Sequence, residues 1–329
     1  MTETMEALVV FTPNVLEIHQ IPLPEPGPNE VLARVRSVSI CGTDAHLIRG
    51  DYPGFWPPAF PFTPGHEWAG QIVALGKGAE RFGWHIGDRV AGTSHNACGA
   101  CQKCVEGRYN LCENYGKAGL HKQYGHSYQG VDATYAVHNV KCIFRLPDSV
   151  SYDEGAVVDP ASIGLHVARR GNIQPGDTVV VTGAGAVGLL AADCAMVCGA
   201  ARVVVVGRGY RLSKAAAMGF ETVDAMAGDP VTAIRELTGG LGADVVLECR
   251  GAGDPGVGDG GAPSRRSLRD RRHPDRAGVT RRPASRARRA RTGGVTGVCG
   301  RDAASNAVRR ERQGARRRVD HTPLCALRL

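Results

Sequence analysis

The chain has 329 residues, of which 43% are hydrophobic and 22% charged, and a formal net charge of +8. That length exceeds the usual single domain and allows two hydrophobic cores. No apolar run approaches the length of a membrane span and no internal period is visible, which excludes a helical membrane protein and a repeat array.

Residues 1 to about 150 are rich in Gly and Pro turns, carry short alternating strands such as Val31 to Val38, and lack a long amphipathic helix. This predicts a compact β-rich domain. After that strand comes Cys41-Gly42-Thr43-Asp44-Ala45-His46, and further on Gly65-His66-Glu67-Trp68-Ala69-Gly70 with another glycine at Gly76. Together the two segments supply a thiolate, an imidazole and a carboxylate, the ligand types of a catalytic zinc that keeps one position open. Thr43, two residues after Cys41, can hydrogen-bond a substrate hydroxyl at such a site, and His46 titrates near neutral pH. Their plain alternatives are a turn-stabilising hydroxyl and a solvated helix residue. Asp44 is placed to orient a ligand by hydrogen bonding rather than to touch the metal. The segment Arg49 to Trp56 mixes aromatic rings with charge, which suits a hydroxyl-rich or amino-bearing ligand and equally a surface loop packed on itself.

Cys98, Cys101, Cys104 and Cys112 follow as C-x2-C-x2-C-x7-C. Four thiolates at these spacings close a tetrahedral Zn²⁺ site on one short lobe and leave no coordination position for a substrate, so the site is structural. Two disulfides or an iron–sulfur cluster are the alternatives. The other seven cysteines are scattered singly, and no charged-plus-apolar leader is visible at the N-terminus, so a reducing, cytoplasmic setting is expected.

Past Leu146-Pro147-Asp148-Ser149, helix candidates begin at Ser151 and at 160–170, and a βα alternation sets in. Pro175-Gly176-Asp177 makes a turn, and Thr178 to Thr182 is a continuous β-branched run of the kind buried in a parallel sheet. Gly183-Ala184-Gly185-Ala186-Val187-Gly188 and a small-residue helix from Leu189 to Cys198 complete a strand–turn–helix, and a second strand runs from Arg202 to Val206. In that context Gly183, Gly185, Ala186, Val187 and Gly188 read as a Rossmann fingerprint that admits a pyrophosphate to a helix N-terminus. The second strand ends in Val206-Gly207-Arg208-Gly209-Tyr210-Arg211. An NAD enzyme usually places a carboxylate there; Arg208 and Arg211 would instead attract a 2′-phosphate, so NADP is expected over NAD. The alternative is that Arg208 stacks on adenine or faces water.

The composition changes near residue 250. Residues 251–329 hold 20 of the 40 basic side chains, all Arg, with 7 acids, and contain no Lys, Ile, Phe, Tyr, Trp or Met. Their net charge is +13, against −5 for residues 1–250. A disordered, arginine-rich nucleic-acid arm is one reading and an unusual native tail another. A shifted reading frame in GC-rich coding DNA fits better, because it yields Arg, Ala, Gly and Pro while losing Lys and Ile.

The motifs taken in order resemble the zinc-dependent medium-chain alcohol dehydrogenases, in particular the threonine/sorbitol/glucose dehydrogenase branch, over about residues 5 to 250. The resemblance implies an α/β protein: a GroES-like zinc-binding catalytic domain over 1–150, a partial Rossmann cofactor domain over 151–250, and a non-native or disordered tail over 251–329. It implies two zinc ions per chain. Cys41 and His66 would hold the catalytic one with Glu67 exchanging against water, and Asp159 stands where the family keeps its third protein ligand. Thr43 and His46 would form the proton relay. The implied activity is hydride transfer between NAD(P) and a secondary alcohol: a polyol, a sugar, an aminocyclitol such as 2-deoxy-scyllo-inosamine, or a threonine-like amino alcohol. Its partners would be that small alcohol and, with an intact C-terminus, other copies of the chain, but no nucleic acid and no membrane. Two other readings compete: an inactive, frame-shifted fragment of such an enzyme, and an arginine-rich nucleic-acid-binding zinc protein.

Overall fold

The computed structural model describes residues 3–250, together with the backbone of 278–281 and 295–296; the rest of the 251–329 tail lies outside the described residues. Two units are present, and the chain passes from one to the other between Asp159 and Pro160. Among the described residues no helix is long and apolar enough to cross a membrane.

The first unit is built on antiparallel strands. β1 (Thr4–Thr12) and β2 (Val15–Pro22) form a two-stranded sheet. β3 (Glu30–Ser39) is followed by helix α1 (Gly42–Arg49), β4 (Glu67–Leu75), β5 (Arg89–Gly92), the short β6 (His95–Asn96), α2 (Gln102–Val105), β7 (Lys122–Gln123), β8 (Tyr135–Asn139), β9 (Ile143–Arg145) and α3 (Tyr152–Ala156). Five of these make one sheet in the order β8-β3-β4-β5-β9, and β6 pairs with β7 separately. Its core gathers Val31, Ala33, Trp68, Ile72, Val90, Val131 and Ile143. Trp68 is fully buried because its cross-strand partner on β5 is a glycine: a Cβ on Gly92 would sit 2.0 Å from the indole Nε1. The alternating pattern of Val31 to Val38 thus belongs to an interior strand of the sheet, flanked by β8 and β4.

The second unit is an α/β layer structure. After α4 (Val158–Arg170) come β10 (Thr178–Thr182), α5 (Ala186–Val197), β11 (Arg202–Gly207), α6 (Gly209–Ala217), β12 (Glu221–Asp224), α7 (Pro230–Leu237) and β13 (Val245–Glu248). Strands β12-β11-β10-β13 are parallel, and the backbone of β14 (Gly278–Arg281) and β15 (Val295–Thr296) extends the sheet antiparallel. Val179, Val181, Val203, Val205, Val245 and Leu247 pack against Leu189, Ala191, Ala192 and Ala195 of α5. Val180, Val204, Val206 and Val223 fill the opposite face against Ala233 and Ile234 of α7. Burial on both faces explains why these strands read as unbroken valine runs, and each fully buried valine contributes about 1.5–3 kcal/mol. The helix predicted from Leu189 starts earlier, at Ala186, because the glycine turn itself supplies its N-cap at Gly185.

Candidate metal centres and cofactor cradle

In the first unit, strand register brings the two ligand-bearing segments together. Ser39 at the end of β3 is paired with Glu67 at the start of β4, and the Ser39 hydroxyl donates to Glu67 Oε2. Cys41 follows β3 as the N-cap of α1, and His66 immediately precedes β4. Gly65 makes the turn into His66 with φ +89°, and a Cβ there would lie 2.2 Å from Asp132 Oδ1, so the residue must be glycine. The ligand atoms of Cys41, His66 and Glu67 all lie within 4.8 Å of one another.

Asp44 holds this group in place. Its Oδ2 accepts the Cys41 N–H at 2.8 Å, closing a capping box at the start of α1, and its Oδ1 lies 3.4 Å from His66 Nδ1. That leaves His66 Nε2 on the side of Glu67, 3.9 Å from Oε1. His66 and Glu67 are both buried. Burial opposes charge on His66, but the Asp44 carboxylate and the Cys41 thiol beside it outweigh that and set its pKa well above the usual value. Burial pushes the Glu67 carboxyl up, against the Ser39 hydroxyl and His66, and Asp159 adds to the rise. A half-buried thiol beside a buried imidazole and a buried carboxylate fits a divalent zinc, which favours thiolate, neutral imidazole and carboxylate together.

The other predicted residues fall as follows. Thr43 Oγ1 lies 3.5 Å from Cys41 Sγ, at the metal-ligand cluster. Asp159, in the first turn of α4, is buried and near enough to Glu67 for its charge to be felt, but its carboxylate is not among the three ligand groups within 4.8 Å. His46, one turn along α1 from Thr43, has its Nδ1 2.7 Å from Asp51 Oδ2 and 2.9 Å from Arg49 Nη2.

Two residues escaped the sequence reading. Ser39 is one, legible only through register. His126 is the other: it is buried, its ring centroid lies 4.4 Å from that of His66, and its Nδ1 is 3.2 Å from the Tyr124 carbonyl. A carbonyl only accepts, so that nitrogen carries the proton. Trp56 meets His126 edge-on at 4.9 Å and also contacts Tyr52 and Phe55. The Arg49–Trp56 loop is therefore packed on itself and also abuts the metal-ligand cluster.

The Cys98, Cys101, Cys104 and Cys112 thiols form a second group within 4.8 Å. The Asn114 amide and the backbone N–H groups of Ala100 and Cys101 all donate to Cys98 Sγ at 3.4 Å, and these donors bring its pKa down to about 5. Burial raises Cys104 and Cys112. A soft four-sulfur set with backbone donors aimed at it suits zinc held as a structural ion.

In the second unit the loop between β10 and α5 is a tight glycine turn. Gly183 has φ +100°, a Cβ on Gly188 would collide with the Gly183 carbonyl at 1.8 Å, and a Cβ on Gly185 would meet nothing within 4 Å. The first two features fold the turn tightly against the helix, and the third leaves an open approach to its N-terminus, where a pyrophosphate is favoured. The sequence profile of the alcohol dehydrogenase GroES-like domain matches residues 27–148, and that of zinc-binding dehydrogenases matches 186–255. Sorbitol dehydrogenase of Bacillus subtilis is 35% identical over 251 residues, 76% of this chain and 69% of that one. The chain belongs to the zinc-dependent medium-chain alcohol dehydrogenases.

Other members show the same extent of likeness. L-threonine 3-dehydrogenase of Pectobacterium atrosepticum is 36% identical over 75% of this chain and 67% of its own length. The structure of a zinc-binding dehydrogenase from Sinorhizobium meliloti bound to NADP superposes with a TM-score of 0.67 at 32% identity, covering 76% of this chain and 70% of that one. In this alcohol dehydrogenase, Arg208 caps α6 at the end of β11, and both it and Arg211 are exposed.

Proposed function

We propose that the protein oxidises a secondary alcohol bearing further hydroxyl or amino groups, such as a polyol or a threonine-like amino alcohol, and passes the hydride to NADP. The observation that carries this reading is the convergence of Cys41, His66 and Glu67 beside the Thr43 hydroxyl, on a chain similar to a sorbitol and a threonine dehydrogenase. Cys41, His66 and Glu67 would hold the catalytic zinc, with Asp159 near Glu67, and the four-cysteine lobe a structural zinc. The catalytic zinc supplies a Lewis acid that makes the alcohol easier to deprotonate, and the nicotinamide accepts the hydride. Thr43 Oγ1 would accept the alcohol proton as it gives its own hydroxyl proton up to the relay, His46 would carry a proton on toward solvent, and Asp51 and Arg49 steady the imidazole. Gly183, Gly185, Ala186, Val187 and Gly188 cradle the pyrophosphate, and Arg208 and Arg211 face the ribose 2′-phosphate. Residues 1–150 form the catalytic domain, 151–250 the cofactor domain, and 251–329 the product of a shifted frame.

Two measurements test the reading. Elemental analysis should give two zinc ions per chain, and Cys41→Ser should abolish oxidation of sorbitol and L-threonine while leaving nicotinamide fluorescence enhancement intact. One zinc or none with thiols intact, or an active Cys41→Ser protein, would overturn it. A charge-assisted bond from Arg208 to a 2′-phosphate contributes about 1.5–3 kcal/mol. Arg208→Ala should therefore weaken NADPH binding roughly ten- to a hundredfold and leave NADH unchanged.

A further inference from the structure

The two-stranded sheet of the first unit has one open edge. β1 and β2 pair antiparallel, with Glu6 opposite Gln20, Leu8 opposite Ile18 and Val10 opposite Leu16. On its other side β1 is engaged: the Glu6 carbonyl accepts the Thr134 N–H at 2.9 Å, the Leu8 N–H donates to the Asp132 carbonyl at 2.8 Å, and the Val10 N–H donates to the Phe62 carbonyl at 2.7 Å. These three residues therefore turn their backbone groups away from β2. Directly opposite residues of an antiparallel ladder alternate between exchanging two bonds and exchanging none, so Gln20, Ile18 and Leu16 turn theirs outward, away from β1. Among the described residues no strand other than β1 pairs with β2. The side chains do little to protect this edge. Leu16 and Ile18 are exposed, Ile18 at 73%, and the strand has no lysine and no proline before its last residue, Pro22. An exposed apolar edge of this kind is a template for another strand.

We propose that β2 is a homotypic docking edge, on which a second copy of this chain pairs antiparallel about a two-fold axis at Ile18. The strand's own sequence selects this occupant. Centred there, Ile18 lies opposite Ile18 of the second copy, Leu16 opposite Gln20, and Glu17 opposite His19. Every residue that turns its backbone outward thus meets another that does the same, so each such pair exchanges two hydrogen bonds. Glu17 and His19 fall at the intervening positions, where facing side chains come closest, and set an acceptor against a donor on both sides of the axis. The two already form a 2.9 Å pair within one chain and are exposed. The neighbouring registers are worse. Centring on Glu17 opposes two carboxylates, and centring on His19 brings Pro22, which has no N–H, opposite Leu16. A two-fold contact of this kind closes at two copies. One strand pair is small for a protein interface, so the expected dimer is weak, with a dissociation constant of about 1–100 μM. The contact uses neither the metal centres nor the cofactor turn and does not rest on the dehydrogenase reading.

Sedimentation velocity of the full-length, zinc-loaded chain across that concentration range tests the pairing. The parent mass should rise from that of one 34.8 kDa chain toward twice that value and stop there. Ile18→Pro removes the two central N–H donors of the dimer and no bond to β1, because that N–H points outward. It should weaken the dimer roughly tenfold or more while zinc content and melting temperature stay as in the parent. His19→Glu sets a carboxylate opposite Glu17 on both sides of the axis and should weaken the dimer as much. Glu17→Lys/His19→Glu exchanges the two charges and should return the dissociation constant to within about threefold of the parent. Where Ile18→Pro does not fold, His19→Glu and its charge-exchanged double variant carry the test. A parent that stays monomeric throughout overturns the proposal, as does self-association that neither Ile18→Pro nor His19→Glu weakens. Growth beyond two copies that Ile18→Pro stops, or a double variant that recovers nothing, overturns it as well, because the edge is then adhesive without the register.

Discussion

Asp44 does two things with one carboxylate: it caps the helix that begins at Cys41 and faces the ring nitrogen of His66. Such a partner fixes the tautomer and direction of a metal-binding imidazole, and losing it typically costs ten- to a hundredfold in metal affinity. Asp44→Asn should weaken zinc at the Cys41 centre by about that factor in chelator competition, while the four-cysteine centre keeps its affinity. An equal loss at both would mean that the substitution acts through the fold. His138 offers a different test, because it is wholly buried between Trp68 and Tyr124 with neither ring nitrogen hydrogen-bonded. Burial, helped by Lys122, brings its pKa down to about 3. The folded protein therefore keeps the ring neutral while the unfolded chain protonates near pH 6.5, so stability is complete above that pH and falls on acidification toward pH 3. Below pH 6.5 the loss approaches about 1.4 kcal/mol per pH unit. His138→Phe should flatten the acid limb of the denaturant midpoint between pH 6.5 and 5, read as a difference from the parent so that zinc loss cancels. At this scale the candidates Cys41, His66 and Glu67, which the structure brings within 4.8 Å of one another, were legible from residue type and spacing. Ser39, His126 and His138 were not, since each is defined by a neighbour that only pairing or packing brings near.

Among the elements, those with a strong local signal appear where expected. Thr178–Thr182 and Arg202–Gly207 are valine strands in a parallel sheet, and Ser151 caps α3 through the reciprocal bond with Glu154 that its sequence spacing offers. The two- and three-residue strands β6, β7 and β9 carry no period that a sequence can show. β6 and β7 flank the sulfur lobe, and β9 is placed by its pairing with β5. That lobe contains only one four-residue helix, α2, and a short 3₁₀ turn at Tyr109–Leu111, too little apolar surface to order it unaided. Its structure should depend on the metal. Cys98→Ser should lower the zinc content from two to one, expose the 98–112 segment to proteolysis and reduce the melting temperature. Oxidation by whatever enzyme remains folded should fall far less per molecule than in Cys41→Ser. Equal proteolysis of the parent and Cys98→Ser proteins would remove the structural role from this lobe.

The whole molecule divides by charge as sharply as by fold. Residues 1–250 carry −5 and the remaining 79 carry +13, with arginine as the sole basic residue type apart from histidine. The zinc-binding dehydrogenase profile stops at residue 255 and the sorbitol dehydrogenase match covers 76% of the chain, so the likeness to the family ends where the composition turns. Selection on a nucleic-acid arm acts on charge and tolerates lysine and arginine alike, whereas displacement of a GC-rich frame removes lysine and isoleucine together because their codons are rich in A and T. The second pattern is the one present. Translating the gene in the other two frames after codon 250 should recover a segment with isoleucine, lysine and aromatic residues, periodic as strands and helices, that continues the match to the sorbitol and threonine dehydrogenases. The protein made from the repaired gene should bind NADPH at least tenfold more tightly than the present chain and melt more cooperatively, because a doubly wound sheet holds its cofactor across strands on both sides of the first. If neither frame extends the match, the arginine tail is native. The present chain should then already bind NADPH at full strength.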